Sequence, residues 1–223
     1  MEENSQPEIE RPSYVVAITG ASGAIFGFSL LKALVSHSYF VYLIISKPGF
    51  KVIKDELGMF AGLDTDGTST NLKNLNDRIK DEILNKFGLY DGGFAFIDEM
   101  FLEARIASGS AKHVRGMVVI PCSMGSLSRI ASGNSGNLIE RASDVMLKER
   151  KTLIVCPRET PFNDIHLKNM LSLANSGAVI LPPIPAFYSK PQSIDDIINF
   201  TTGKILDNLG IENGIYMRWK GYD

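Results

Sequence analysis

The residues Thr19-Gly20-Ala21-Ser22-Gly23-Ala24 stand directly after the apolar run Tyr14-Val15-Val16-Ala17-Ile18 and directly before a stretch with helical spacing. Glycines and a serine at a strand-to-helix turn let backbone N–H groups come close to an anion, and the helix N-terminus adds partial positive charge. Gly20, Ala21 and Ser22 are therefore a candidate phosphate cradle. The spacing is Gly-x-x-Gly, not the Gly-x-Gly-x-x-Gly of dinucleotide sites, and no Gly-Lys-Ser/Thr follows. A mononucleotide such as a flavin fits this turn better than a nucleoside triphosphate; a tight turn without a ligand is the alternative.

Other strand ends add polar groups. In an open parallel sheet, ligands gather outside the carboxyl ends of the strands. Ser46 closes a second apolar run, Pro121-Cys122-Ser123-Met124-Gly125-Ser126 follows Val118-Val119-Ile120, and Pro157-Arg158-Glu159-Thr160-Pro161 follows a further run. Scattered serines explain each one singly, but their shared place at strand ends argues for one mononucleotide crevice. A second constellation is charged: Arg141 and Lys148 on an amphipathic helix, with Arg158 and Glu159, could converge on a second anion. Ordinary i, i+4 pairing among Glu140, Asp144 and Lys148 explains that helix equally well. The proline-stiffened loop 182–191 places Phe187 and Tyr188 where they could line a pocket, and Trp219 is either an aromatic wall or a tail anchor.

These groups need a scaffold. Short β-branched runs at 15–19, 41–46, 116–120, 153–156 and 178–181 alternate with helical patterns at 24–35, 123–131, 138–150, 167–175 and 194–209. That alternation predicts an α/β, flavodoxin-like or Rossmann-like three-layer sandwich with a mostly parallel sheet. Residues 1–13 read as a polar N-terminal tail and 14–223 as one domain, interrupted at 61–93 by a polar loop and an amphipathic helix set at an edge or an assembly surface. Within it, Asp64-x-Asp66-Gly67 hints at calcium but lacks the full loop and its closing Glu, so a solvated turn is expected.

Composition narrows the class. With 223 residues, 44% apolar, and a formal net charge of −2, neither disorder nor a general attraction to nucleic acid is expected. No apolar stretch approaches a membrane span and the start is acidic, which predicts a cytoplasmic protein without membrane insertion. Cys122 and Cys156 each end an apolar run and read as reduced core thiols. His37, His113 and His166 show no ligand spacing, so no metal is expected.

Taken together, the chain resembles the flavin prenyltransferases, the UbiX or Pad-type proteins. The resemblance rests on Thr19 to Ala24, Ile45-Ser46-Lys47, Pro121-Cys122-Ser123, Asn137-Leu138-Ile139-Glu140-Arg141-Ala142 with Leu147-Lys148-Glu149-Arg150, Pro157 to Pro161, and Gly177 to Pro183 through Pro185-Ala186-Phe187-Tyr188. It implies a dodecameric shell with sites at subunit contacts. The implied reaction joins a dimethylallyl group from dimethylallyl monophosphate to N5 and then C6 of reduced FMN, giving the cofactor of UbiD-type decarboxylases. By the same resemblance Gly20, Ala21, Ser22, Ser46, Ser123, Met124, Gly125, Ser126 and Arg158 are FMN contacts, and Tyr188, Lys204 and Arg141 hold the prenyl phosphate. Glu159 is implied as the acid–base group, with Lys148, Glu56 and Trp219 beside the chemistry. Lys204 departs from the arginine often found there, which removes a two-pronged contact. Two alternatives are an FMN-dependent cysteine-type decarboxylase, for which His113 is the only candidate histidine, and a non-catalytic FMN carrier.

Overall fold

A computed structural model describes residues 11–61, 72–219 and 221. Its sheet is built from β1 (Ser13–Ile18), β2 (Phe40–Ile45), β3 (Phe94–Asp98), β4 (Val114–Cys122), β5 (Thr152–Pro157) and β6 (Val179–Ile180). The spatial order is β3-β2-β1-β4-β5-β6, and each neighbouring pair is parallel. The chain steps outward from β1 to β3, then crosses to β4 and steps outward the other way. The order reverses between β1 and β4, and at such a point the strand ends open a crevice.

Burial on both faces explains why these runs are so uniformly apolar. In β1, Val16 and Ile18 pack into one core while Val15 and Ala17 pack into the other, as the two-residue side-chain period requires. The helices α1 (Ala24–Ser36), α2 (Lys47–Leu57), α3 (Leu72–Phe87) and α7 (Ile194–Asn208) supply the first core through Phe28, Ile53, Ile79 and Ile205. The helices α4 (Met124–Ala131), α5 (Leu138–Lys148) and α6 (Asp164–Asn175) supply the second through Leu127, Ile139 and Leu173. This is the expected three-layer sandwich.

Two elements escape the sequence pattern. β3 is an edge strand whose residues after Phe94 are only partly buried, so Phe94-Ala95-Phe96-Ile97-Asp98 carries a weaker apolar signal than the central strands. α2 begins with Lys47-Pro48-Gly49, which reads as a loop, yet Pro is compatible with a first helical turn and Ser46 caps it by accepting from the Gly49 amide.

The stretch expected as an insertion is part of the β2-to-β3 crossover. Its helix α3 lies against β3, buries Ile79 and Ile83, and stacks Phe87 on Phe28 with ring centroids 4.5 Å apart. The Asp64-x-Asp66-Gly67 turn lies outside the described residues, as does the expected tail up to residue 10, while Ser13 opens β1. Both cysteines are free and buried, and burial pushes the Cys122 thiol up to about 12.

Since Ile83 is fully buried, Ile83→Ala should cost about 2–5 kcal/mol of stability. Urea unfolding is expected to show a lower midpoint at an unchanged slope; a change below about 0.5 kcal/mol, as at an ordinary surface position, would mean that α3 is peripheral.

Candidate functional site

The crevice is organised by Thr19, whose hydroxyl is fully buried just past β1. It donates to the Pro121 carbonyl at 2.8 Å and accepts from the Ser123 amide at 2.8 Å, while the Thr19 amide also reaches Pro121 O. Ser46 N donates to Ile18 O, and Arg158 N donates to Cys122 O. The ends of β1, β2, β4 and β5 are thereby locked together, and Gly20, Ala21, Ser22, Ser46, Ser123, Met124, Gly125, Ser126 and Arg158 all lie along this edge. Gly20 is required for this closeness, since a Cβ there would stand 2.4 Å from Pro48 Cβ.

The serines also have a structural duty. Ser46 and Ser123 are the N-caps of α2 and α4, and the Ser123 hydroxyl donates to Ser126 Oγ at 3.1 Å. The outer rim stays open: Ser22, Gly125, Arg158 and Glu159 are exposed, and a Cβ on Gly125 would meet only Arg129 Nη1, at 3.5 Å.

The expected anion cradle needs one correction. The amides of Gly23 and Ala24 at the start of α1 donate to the Glu56 carboxylate, at 3.0 Å each, so an internal anion from α2 holds that helix terminus. Glu56 therefore does reach the turn, through the partial positive charge of the first turn. An anionic ligand at the same turn is left to Ser22, the neighbouring caps and Arg158.

Two buried carboxylates beneath the rim were not legible in the sequence. Glu99 follows β3; its side chain accepts from the Lys47 amide at 2.7 Å and from Asn137 Nδ2 at 3.3 Å, and its carbonyl accepts from the Leu138 amide at 2.7 Å. Asn137 caps α5 through Glu140 N, and the Glu140 side chain accepts from Gly136 N at 2.8 Å and Arg129 Nε at 2.5 Å. Arg129 Nη2 in turn lies 3.5 Å from Ser126 Oγ. The first turns of α2, α4 and α5 are thus joined by one polar network. The pairing expected within α5 does not form: Glu140 takes Arg129, Asp144 takes Arg141, and Lys148 takes Glu149.

Two further sets of expected residues make contacts of their own. Arg141 donates to Ala107 O, and Lys148 sits at the C-terminal end of α5 beside Gly109, about 16 Å along the helix from Asn137. The segment that follows β6 brings Tyr188 edge-on to Phe200 and to Trp219, with centroids 6.1 and 5.9 Å apart. Lys204 follows Phe200 by one turn of α7 and so shares its face. The contacts shown for Arg141 and Lys148 are with Ala107, Asp144 and Glu149, and Lys148 lies at the end of α5 away from its cap.

The donor set at the edge is hydroxyls, amides and guanidinium, which fits a phosphate group. Among the described residues, no group of three His, Cys, Asp or Glu could hold a metal ion, and no helix is long and apolar enough to cross a membrane.

Glu99 supplies a pH signature. Burial raises its pKa, against the opposing pull of the Lys47 amide. The unfolded chain therefore ionises this group first, the folded chain holds the proton to higher pH, and stability falls as pH climbs through that window. Glu99→Gln should flatten this part of the profile, measured as the difference in urea midpoint between about pH 5 and about pH 7. An unchanged difference would show that Glu99 is not the group responsible.

A family model described as Flavoprotein matches residues 2–206. The chain is 46% identical over 208 residues to the flavin prenyltransferase UbiX of Halalkalibacterium halodurans, covering 92% of each protein. A crystal structure of AnUbiX (PadA1) in complex with FMN and dimethylallyl pyrophosphate superposes with a TM-score of 0.76 at 38% identity, over 96% of this chain and 100% of that one. A dodecameric FMN-dependent UbiX-like decarboxylase from Escherichia coli O157:H7 superposes with a TM-score of 0.77 at 35% identity, over 94% of this chain and 100% of that one. With near-complete coverage at such identity, and with the strand-end crevice in place, the chain belongs to the UbiX family of flavin prenyltransferases.

Proposed function

We propose that this protein joins the dimethylallyl group of dimethylallyl monophosphate to N5 and C6 of reduced FMN. The observation that carries the reading is the locked edge at which β1, β2, β4 and β5 present Ser22, Ser46, Ser123, Ser126 and Arg158 together, in a chain of this family. Reduced FMN, as co-substrate, supplies the nucleophilic nitrogen and carbon. Ser22, Ser46, Ser123 and Ser126, with the turn backbone at Gly20, Ala21, Met124 and Gly125, hold it, and Arg158 adds a cation at the rim.

The allylic C–O bond breaks as phosphate leaves with the electron pair. Arg141, Lys148 and Lys204 bind that anion, and the faces of Tyr188 and Trp219 stabilise the allylic cation. Glu159, exposed at the end of β5, protonates the departing phosphate. N5 loses its proton as it takes the allyl group, a proton added to the remaining double bond then makes its tertiary carbon the electrophile for C6, and Glu159 accepts the proton that C6 releases. Glu56, already at the start of α1, lines the same turn. Because Lys148 lies at the far end of α5 from the edge, a second copy must supply it, which favours a homo-oligomer such as the dodecamer described for the E. coli relative. The product would pass to a UbiD-type decarboxylase. Two buried, free thiols suit a reducing compartment such as the cytoplasm.

The decarboxylase alternative loses its candidate base. His113 precedes β4 and bonds Tyr42 OH at 3.1 Å, at the opposite end of the sheet from the crevice. A carrier would have no use for Glu159 or Lys204.

Anaerobic incubation with reduced FMN and dimethylallyl monophosphate, followed by mass analysis of the extracted flavin, should show the gain of one five-carbon unit. Glu159→Gln should slow this by about 10²–10⁴-fold while FMN still binds, and a chelator should leave the rate unchanged. Tightly bound but unmodified flavin would reject the monophosphate as donor, and gain of the unit from the diphosphate alone would replace it.

A further inference from the structure

The segment after α7 turns back along that helix and is fastened to it by one carboxylate. Asp207 Oδ1 accepts from Arg218 Nη2 at 2.6 Å and from Asn213 Nδ2 at 2.9 Å; Asp207 Oδ2 accepts from the Tyr216 hydroxyl at 2.6 Å and from Arg218 Nη1 at 2.9 Å. Arg218 also donates to the Asn213 carbonyl at 3.2 Å and lies over the Tyr216 ring at 5.0 Å. Four contacts on one carboxylate hold it ionised, with the guanidinium the largest influence and a pKa drawn down to about 2; burial and the neighbouring carboxylate push the Tyr216 phenol up to about 12.

The helix is shaped for this return. Gly203 is an interior helical residue, a position where glycine is unfavourable, and a Cβ there would stand 2.2 Å from Tyr216 Cδ1. Its absence lets Tyr216 lie on the helix and meet Phe200 edge-on at 5.3 Å. Phe200 then meets Tyr188, and Tyr188 meets Trp219, each ring edge-on to the next. The clamp thus leads along an unbroken row of rings to Trp219, the only tryptophan.

We propose that Asp207 is a positioning residue: by clamping Tyr216 and Arg218 it holds Trp219 across Tyr188 and so sets the aromatic wall of the prenyl-donor site. This rests on the reading above, in which Tyr188 and Trp219 face the donor. Asp207 touches neither substrate. It acts through the returning segment, and its loss should be felt by the donor and not by the flavin.

The lone tryptophan gives a readout independent of turnover. Asp207→Asn and Arg218→Gln, made in the full chain, should raise acrylamide quenching of Trp219 fluorescence about twofold and the KM for dimethylallyl monophosphate about tenfold, with FMN affinity within about twofold. Arg218→Gln alters the returning segment alone and guards against a general failure of α7 to fold. Arg218→Lys keeps the charge without the fork and should recover part of both effects. Unchanged quenching in both variants would overturn the clamp, and raised quenching with an unchanged donor KM would overturn its link to the donor site. Wild-type protein that prenylates no flavin would overturn the donor reading itself, while quenching would still decide whether Asp207 holds Trp219.

Discussion

The hydrogen bonds of Thr19 are the constraint on which the site depends. A parallel sheet that splits its helices between β1 and β4 leaves those two strand ends with no crossover to hold them together. Thr19 spans the gap by donating to Pro121 and accepting from Ser123, so a fully buried hydroxyl is satisfied by the two groups it must align. With that gap fixed, Ser46 and Arg158 are set by single backbone bonds to Ile18 and Cys122. Four loops from distant parts of the chain then share one rim.

Electrostatics organise the layer below. Several helices start along this edge, and their N-termini bring partial positive charge to a small region. Internal carboxylates answer part of it: Glu56 on α1, Glu99 on α2 and on the cap of α5, and Glu140 on the arginine that leads to Ser126. Burying a carboxylate is costly unless it is hydrogen-bonded; the buried Glu99 and Glu140 are held by amides and a guanidinium, while Glu56 makes its contacts at the exposed surface. The helix starts along this edge are thus held in register from inside.

The sheet and its main crossovers were legible because central parallel strands are apolar on both faces. Tyr14-Val15-Val16-Ala17-Ile18 and Val118-Val119-Ile120 can scarcely be anything else. β3 was not, because one flank of an edge strand is open and its residues are mixed. The 61–93 stretch read as an appendage since polar residues surround α3, and the burial of Ile79 and Ile83 with the stacking of Phe87 on Phe28 shows that the helix belongs to the core. At the rim, strand-end serines and Arg158 were readable from position alone. Thr19, Glu99 and Asp207 were not: each works by joining segments far apart in sequence, and a single Thr, Glu or Asp carries no periodic signal. The Asn137 to Glu140 spacing, three residues at a helix start, was the one local hint of the buried network. Trp219 follows the residue that Asp207 clamps and meets Tyr188 edge-on, a contact between the tail and the loop after β6 that no local pattern announces.

The central claim is that the flavin edge belongs to one copy and Lys148 to another. Co-expression of Lys148→Ala and Glu159→Gln chains tests it most directly, by comparing flavin prenylation in the mixed oligomers with that of each parent. Two nearly inactive parents should give about one quarter of wild-type activity when mixed in equal amounts, because that fraction of contacts pairs an intact edge with an intact lysine. A mixture no more active than its parents would place both residues in the same copy's site and contradict the account.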